Sequence, residues 1–247
     1  MSPRAVPCAA SSLVSGLLDD SRSKPVALRE VARTRLSVHF DTGRGDVPVL
    51  CVCTADAVRL PGSVVAPVLP TVRPPGAVIA SGGQLSDGTT TWQVVRWWQP
   101  PRPRAFAPYR LAAVPGVERL EDVRPRDLLG LGPGLTPRGD DVVSGALVAA
   151  AAVDHPRLTA WREETRTALR TRRTTAVSRG LLHHALEGYA IAPLAEFVEA
   201  ACAGDAQRAA EVLLEVGHSS GAALAAGALH ALTTHPAAGG VGRRAAA

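Results

Sequence analysis

One stretch constrains this chain more than any other: Gly130-Leu131-Gly132-Pro133-Gly134-Leu135-Thr136-Pro137-Arg138-Gly139-Asp140-Asp141, which runs straight into the apolar segment Val142 to Val153. Its glycines and prolines can continue neither a helix nor a strand. Val142-Val143-Ser144-Gly145-Ala146-Leu147-Val148 instead reads as a helix that is apolar all round and therefore buried. A tight loop must feed the N-terminus of a core helix, expected over residues 141–153. The first-turn N–H groups of such a helix lack intrahelical partners, and the helix dipole adds about half a positive charge there, which makes an anion site. Asp140 and Asp141 open three alternatives. One can cap the helix while the other faces a cleft, the pair can hold a divalent cation such as magnesium, or one can act as a base.

Other groups with chemical potential also stand at expected helix starts. His218-Ser219-Ser220 precedes a helix expected over 221–232, and Thr174-Thr175 with Ser178 opens another over 174–189. If the three starts converge, they supply backbone N–H groups, hydroxyls, one imidazole and two carboxylates to a single cleft, which suits an anionic substrate. Arg172-Arg173-Thr174-Thr175 adds guanidinium groups of the kind that bind phosphate. Gly217-His218-Ser219-Ser220-Gly221 copies the spacing of a nucleophile elbow, but a helical pattern precedes it where the elbow needs a strand. His183 and His184 lie in a helical stretch where only one can face inward. Gly139 to Leu147 also aligns without gaps on Gly221 to Leu229, glycine on glycine. Gly145 and Gly227 therefore suggest two equivalent helices with a close backbone approach.

The first loop, followed some eighty positions later by Gly217-His218-Ser219-Ser220-Gly221 and with Thr174, Ser178 and Gly188 in between, resembles a bacterial family of once-unknown function that includes one of the subunits of oxamate carbamoyltransferase. The resemblance implies a place in allantoin and oxalurate breakdown, where phosphate attacks the carbamoyl carbon of oxalurate to give oxamate and carbamoyl phosphate. It also implies other subunits as partners. Carbamoyl transfer needs donors for the developing oxyanion and sites for a phosphate and a carboxylate. The candidate catalytic residues are Asp140, Asp141 and His218. The candidate substrate-binding residues are Gly134, Thr136, Arg138, Gly139, Thr174, Ser178, Ser219 and Ser220. Two positions depart from the family pattern: Arg138 stands where a serine usually follows Thr-Pro, and Ala223 where an acidic residue is expected. A small-anion-binding or assembly subunit without catalysis is the alternative reading.

The expected fold class is α+β. Residues 1–112 form a β-rich part, an antiparallel sandwich or partly open barrel, and residues 113–235 a helical part carrying both loops. Residues 236–247 form a disordered tail. Strand signals are Arg35 to Phe40, Val47 to Thr54, Ser63 to Leu69, Ala77 to Ala80 and Thr90 to Trp98, separated by Gly, Pro and Asp clusters. A proline-rich passage from Pro100 to Arg104 follows. Asp205 reads as a helix N-cap. The net charge of +5 is almost wholly arginine, since Lys24 is the one lysine. Arg162, Arg166, Arg170 and Arg173 fall at helical spacing, but Glu163 and Glu164 interrupt the basic stripe, which reads as a solvated face rather than a nucleic-acid surface. Cys51-Val52-Cys53 puts two thiols on one face of a strand rather than around a metal. No apolar run approaches a membrane span, and the expected location is cytoplasmic.

Overall fold

The computed structural model describes residues 3–18, 24–71, 77–106, 111 and 113–236. From residue 237 on, the tail expected to be disordered lies outside them. The chain divides into two compact units, residues 1–100 with 179–183, and residues 101–178 with 184–247.

In the first unit the strands are β1 (Arg4–Ser11), β2 (Val26–Arg33), β3 (Ser37–Asp41), β4 (Val49–Cys53), β5 (Ser63–Val65), β6 (Val78–Ser81), β7 (Gln84–Ser86) and β8 (Thr90–Trp98). They close into a barrel in the order β1-β5-β4-β3-β2-β6-β7-β8. Most pairs are antiparallel, as the short intervals between strand signals require. Two are parallel, β1 with β8 and β4 with β5, so the sheet is mixed and fully closed. The closing strand β1 carries no β-branched run beyond Val6, which is why its role is invisible in sequence. Alternation does the rest, because every second side chain points inward. Val6, Cys8 and Ala10 of β1 fill the interior with Leu28, Val38, Phe40, Leu50, Val52, Val64 and Trp92. The Trp92 indole N–H donates to the Val68 carbonyl at 2.8 Å, which makes it a core residue with its polar edge satisfied. Cys51 and Cys53 share the other face of β4 as free thiols, and their mutual hydrogen bond, ahead of burial, pushes the Cys51 thiol well up.

The second unit holds α2 (Pro125–Leu128), α3 (Arg138–Ala152), α4 (Leu158–Thr171), α6 (Ala192–Ala203), α7 (Gln207–Leu214) and α8 (Ser220–Thr233). α1 (Ser15–Leu18) belongs to the barrel unit, while α5 (Ala176–Leu186) has residues in both. The proline-rich passage is irregular but held: Pro101 accepts a hydrogen bond from the Ala190 N–H, and the Ala105 N–H donates to Ala152. Asp205 is not a cap. Ala206 takes the cap position of α7 without a side-chain bond, because the Asp205 N–H closes the end of α6 on Ala200.

α3 and α8 form the centre of this unit. A Cβ added to Gly145 would come within 2.0 Å of the Leu224 carbonyl, and one added to Gly227 within 2.0 Å of the Val142 carbonyl. In the gapless alignment Val142 corresponds to Leu224 and Gly145 to Gly227, so the two contacts are the same contact seen from each helix. The starts correspond as well. Gly139 is pressed on the Leu128 carbonyl of α2, and Gly221 on the Leu213 carbonyl of α7. Helix-loop-helix is therefore used twice, and the two copies embrace through glycine. Toward the far end of α8 lies an aromatic cluster in which His155 stacks on Trp161, with centroids 5.2 Å apart and His230 tilted against the same indole.

This crossing predicts the sign of a substitution that helix propensity alone gets wrong. Gly145→Ala gains about 1 kcal/mol of propensity, but a methyl group 2.0 Å from a carbonyl oxygen has no room, and overpacking of this kind costs about 1–3 kcal/mol or more. The melting temperature of Gly145→Ala should fall by several degrees, whereas that of Gly45→Ala, which meets nothing within 4 Å, should stay within a degree or two of wild type. A Gly145→Ala protein that melts higher than wild type would refute the close approach.

Candidate functional site

The loop before α3 turns on glycine. Gly130, Gly132 and Gly134 all have positive φ, which L side chains rarely adopt. α3 begins at Arg138, three residues earlier than the apolar pattern suggests, with Pro137 in the cap position and no side-chain cap. Neither aspartate is therefore the N-cap. The first-turn donors are also occupied: the Gly139 N–H donates to the Leu131 carbonyl at 2.9 Å, and those of Asp140 and Asp141 to Pro137 at 2.9 and 3.2 Å. The loop curls back and closes the helix end with its own carbonyls. An anion cannot use those three N–H groups, contrary to the expectation for a bare helix start.

The two carboxyls lie on different faces of the helix, as neighbours about 100° apart must. Asp140 is a tie. Its Oδ1 accepts from the Gly130 N–H at 2.7 Å and its Oδ2 from the Thr174 hydroxyl, which joins the loop, α3 and the segment before α5. A second tie lies beside it, since the Thr175 hydroxyl donates to the Leu135 carbonyl while accepting from the Ser178 N–H at 3.0 Å as the N-cap of α5.

Asp141 faces the third start. The Thr136 and Ser220 hydroxyls stand 2.9 Å apart beside the Asp141 carboxyl, so the beginnings of α3 and α8 lie side by side. Burial pushes that carboxyl from 3.8 up to about 7, the hydroxyl bonds pull the other way, and the neighbouring Asp140 charge adds to the rise. Its Oδ2 is buried without a hydrogen-bond partner among the described residues, as is the Ser178 hydroxyl.

The structure thus brings together Thr136, Asp140, Asp141, Thr174 and Ser220. Gly139 is buried, and its contact with α2 is a packing requirement. Gly134 sits at the exposed loop tip. Arg138 points its charge at Glu118 in an exposed ion pair. Ser219 takes the cap position of α8 without a side-chain bond, and the neighbouring Ser220 hydroxyl goes to Thr136 instead. His218 stands exposed in the turn before it. Ser178 is buried in the first turn of α5. Gly188 has a positive φ, and a Cβ there would sit 3.1 Å from Ala151. His184 is buried and His183 half-buried, as helical phase requires. Sequence reasoning misses Thr175 as a loop anchor, although its place beside Thr174 at a helix start is a signal. Among the described residues no group of three or more His, Cys, Asp or Glu side chains is placed to hold a metal ion. No described helix is long and apolar enough to cross a membrane.

Fold and site together define an α+β protein in which helix starts gather around a buried carboxyl and its hydroxyls. Residues 128–232 match the family described as oxamate carbamoyltransferase subunit AllH. The matched span runs from the last residue of α2 almost to the end of α8 and contains every residue of the cluster. No solved structure matches the chain.

The two aspartates should respond oppositely to substitution. Asp140→Ala removes two hydrogen bonds to a buried carboxyl and should cost about 1.5–3 kcal/mol, a melting shift of roughly 2–4 °C per kcal/mol at this size. Asp141 has a raised folded value, so the folded state holds its proton more tightly than the unfolded state. Stability is then lost as pH rises from 3.8 toward about 7 and stays lower above it. Asp141→Asn removes that loss, which is up to about 4 kcal/mol at 1.36 kcal/mol per unit. Thermal denaturation should show Asp141→Asn more stable than wild type at pH 8 and the difference shrinking by pH 4. A variant less stable than wild type at pH 8 would contradict a buried, proton-holding carboxyl.

Proposed function

We propose that this chain is a subunit of an oxamate-carbamoyltransferase-like enzyme, converting oxalurate and phosphate to oxamate and carbamoyl phosphate, with the helical unit contributing the carbamoyl-transfer site. The observation that carries the reading is the Asp141 carboxyl, buried against two hydroxyls at the meeting of two helix starts, inside the stretch that matches the subunit family.

The reaction asks for one proton to be moved. A phosphate oxygen attacks the carbamoyl carbon of oxalurate, the bond from that carbon to the oxamate nitrogen breaks, and the leaving nitrogen must gain the proton that hydrogen phosphate gives up. A carboxyl that titrates near neutrality is suited to both halves of that transfer, since general acid-base catalysis is most effective when the group's pKa lies near the working pH. The Ser220 and Thr136 hydroxyls, each half-buried, connect Asp141 to the less buried side of the cluster. Ser220 is suited to donate to the oxyanion that develops on the carbamoyl oxygen. Asp140 has a positioning role through Gly130 and Thr174. His218 stands at the exposed edge, where a second proton carrier or a substrate contact belongs. The family's description as a subunit supports partner chains of the same enzyme. In the alternative reading the same cluster binds the anion and the chemistry belongs to a partner, a reading favoured by the exposed Leu131 and Leu135 flanking the loop tip.

Formation of carbamoyl phosphate from oxalurate and phosphate, assayed with the chain alone and with its co-purified partners, separates the two readings. Asp141→Asn should lower turnover by about 10²- to 10⁴-fold, the usual contribution of a general acid or base. It should leave substrate-induced thermal stabilisation in place. Unchanged turnover in Asp141→Asn would remove Asp141 from the chemistry and leave the binding-subunit reading.

A further inference from the structure

The cluster around Asp141 is acidic and hydroxylic, yet both substrates of the proposed reaction are anions, so a cation must balance them. The groups expected to do so are engaged elsewhere. The N–H groups of Gly139, Asp140 and Asp141 donate to loop carbonyls, and the Arg138 guanidinium pairs with Glu118. Arg172 is in no ion pair among the described residues either, but it lines an open groove of about 470 Å³ together with Asp127, Glu163 and Glu164.

Arg173 differs. Its carbonyl oxygen lies 2.4 Å from where a Cβ of Gly130 would stand, so residue 173 rests directly on the loop at the point where Asp140 holds the Gly130 N–H. The next two residues are pinned, Thr174 to Asp140 and Thr175 to Leu135. The backbone of Arg173 is thereby fixed at the edge of the cluster, while its side chain is exposed and joins none of the ion pairs among the described residues. The same cluster holds a buried polar atom without a partner among the described residues, Asp141 Oδ2, as a site lacking its ligand would.

We propose that Arg173 is the oxyanion contact of this site, its guanidinium holding the phosphate or the carboxylate end of the substrate beside the Asp141 cluster. A guanidinium offers a planar pair of N–H donors that matches either group, which a lysine cannot reproduce. The inference rests on the carbamoyl-transfer reading of the same residues and adds the group that selects an anion.

Titration calorimetry of the full chain with inorganic phosphate and, separately, with oxamate tests it. Arg173→Ala should weaken binding of one or both by about 10- to 100-fold, as loss of a charge-assisted hydrogen bond does. Arg173→Lys should recover only part of the loss. Arg170→Ala, an exposed arginine on α4 paired with Glu163, should bind as wild type does. The variant that loses phosphate, oxamate or both identifies which oxyanion Arg173 holds, and an unchanged melting temperature in Arg173→Ala shows that the fold is intact. Wild-type binding with an unaltered Arg173→Ala affinity overturns the role of Arg173 and leaves the site reading standing. Wild type that binds neither anion overturns both.

Discussion

The crossing of α3 and α8 at Gly145 and Gly227 is the contact on which the helical unit depends. Two helices normally keep 8–10 Å between axes because side chains intervene. Here each helix offers a glycine to the other's carbonyl, and no side chain larger than hydrogen fits at either point. The close approach has a consequence at the helix starts, where Thr136 and Ser220 come within hydrogen-bonding distance across the pair. Bulkier residues at the crossing would push the starts apart and open the cluster to water. Backbone packing in the core therefore sets the polarity of the site a few residues away.

That polarity is expensive to maintain. A carboxyl taken out of water favours its protonated form, and the shift of Asp141 to about 7 means that the fold gives up stability at neutral pH to hold it there. Its neighbour shows the other solution to burial. Asp140 is equally enclosed, but both its oxygens have donors, so it acts as a brace between loop and helix. Two adjacent aspartates thus serve unlike ends because helical geometry sends them to different faces, where each Asp140 oxygen meets a donor and Asp141 Oδ2 meets none among the described residues. Perturbed groups of this kind concentrate at functional sites, since structural carboxyls are ordinarily paired.

The barrel unit is built on a different principle. Its core follows from alternation along strands, with Cys8, Ala10, Phe40 and Trp92 in one interior cluster. Closure removes the free edges that an open sheet of this size would expose. The parallel pairing of the first and last strands achieves it, and the residues of β1 give no local sign of that pairing, because a strand's partner is chosen by the whole circuit of the sheet.

Much was legible in the sequence because it depends on short-range rules. The β-rich and helical halves follow from the change of hydrophobic period after Pro100, and β8 appears at its observed limits because β-branched and aromatic residues dominate from Thr90 to Trp98. The glycine match between the two core helices foretold their close approach, since a mid-helix glycine needs a reason. Side-chain partners were not legible. The sequence shows two aspartates at a helix start, where capping is the local expectation, but the loop's own carbonyls reached the N–H groups first, and the carboxyls were left for Gly130, Thr174, Thr136 and Ser220. Those partners lie up to about eighty residues away along the chain. Local propensity and periodicity decide which residues become helix or strand, whereas the protonation of Asp141, the bracing by Asp140 and the placing of Arg173 depend on which distant atoms the packed chain brings within 3 Å, and only the tertiary structure decides that.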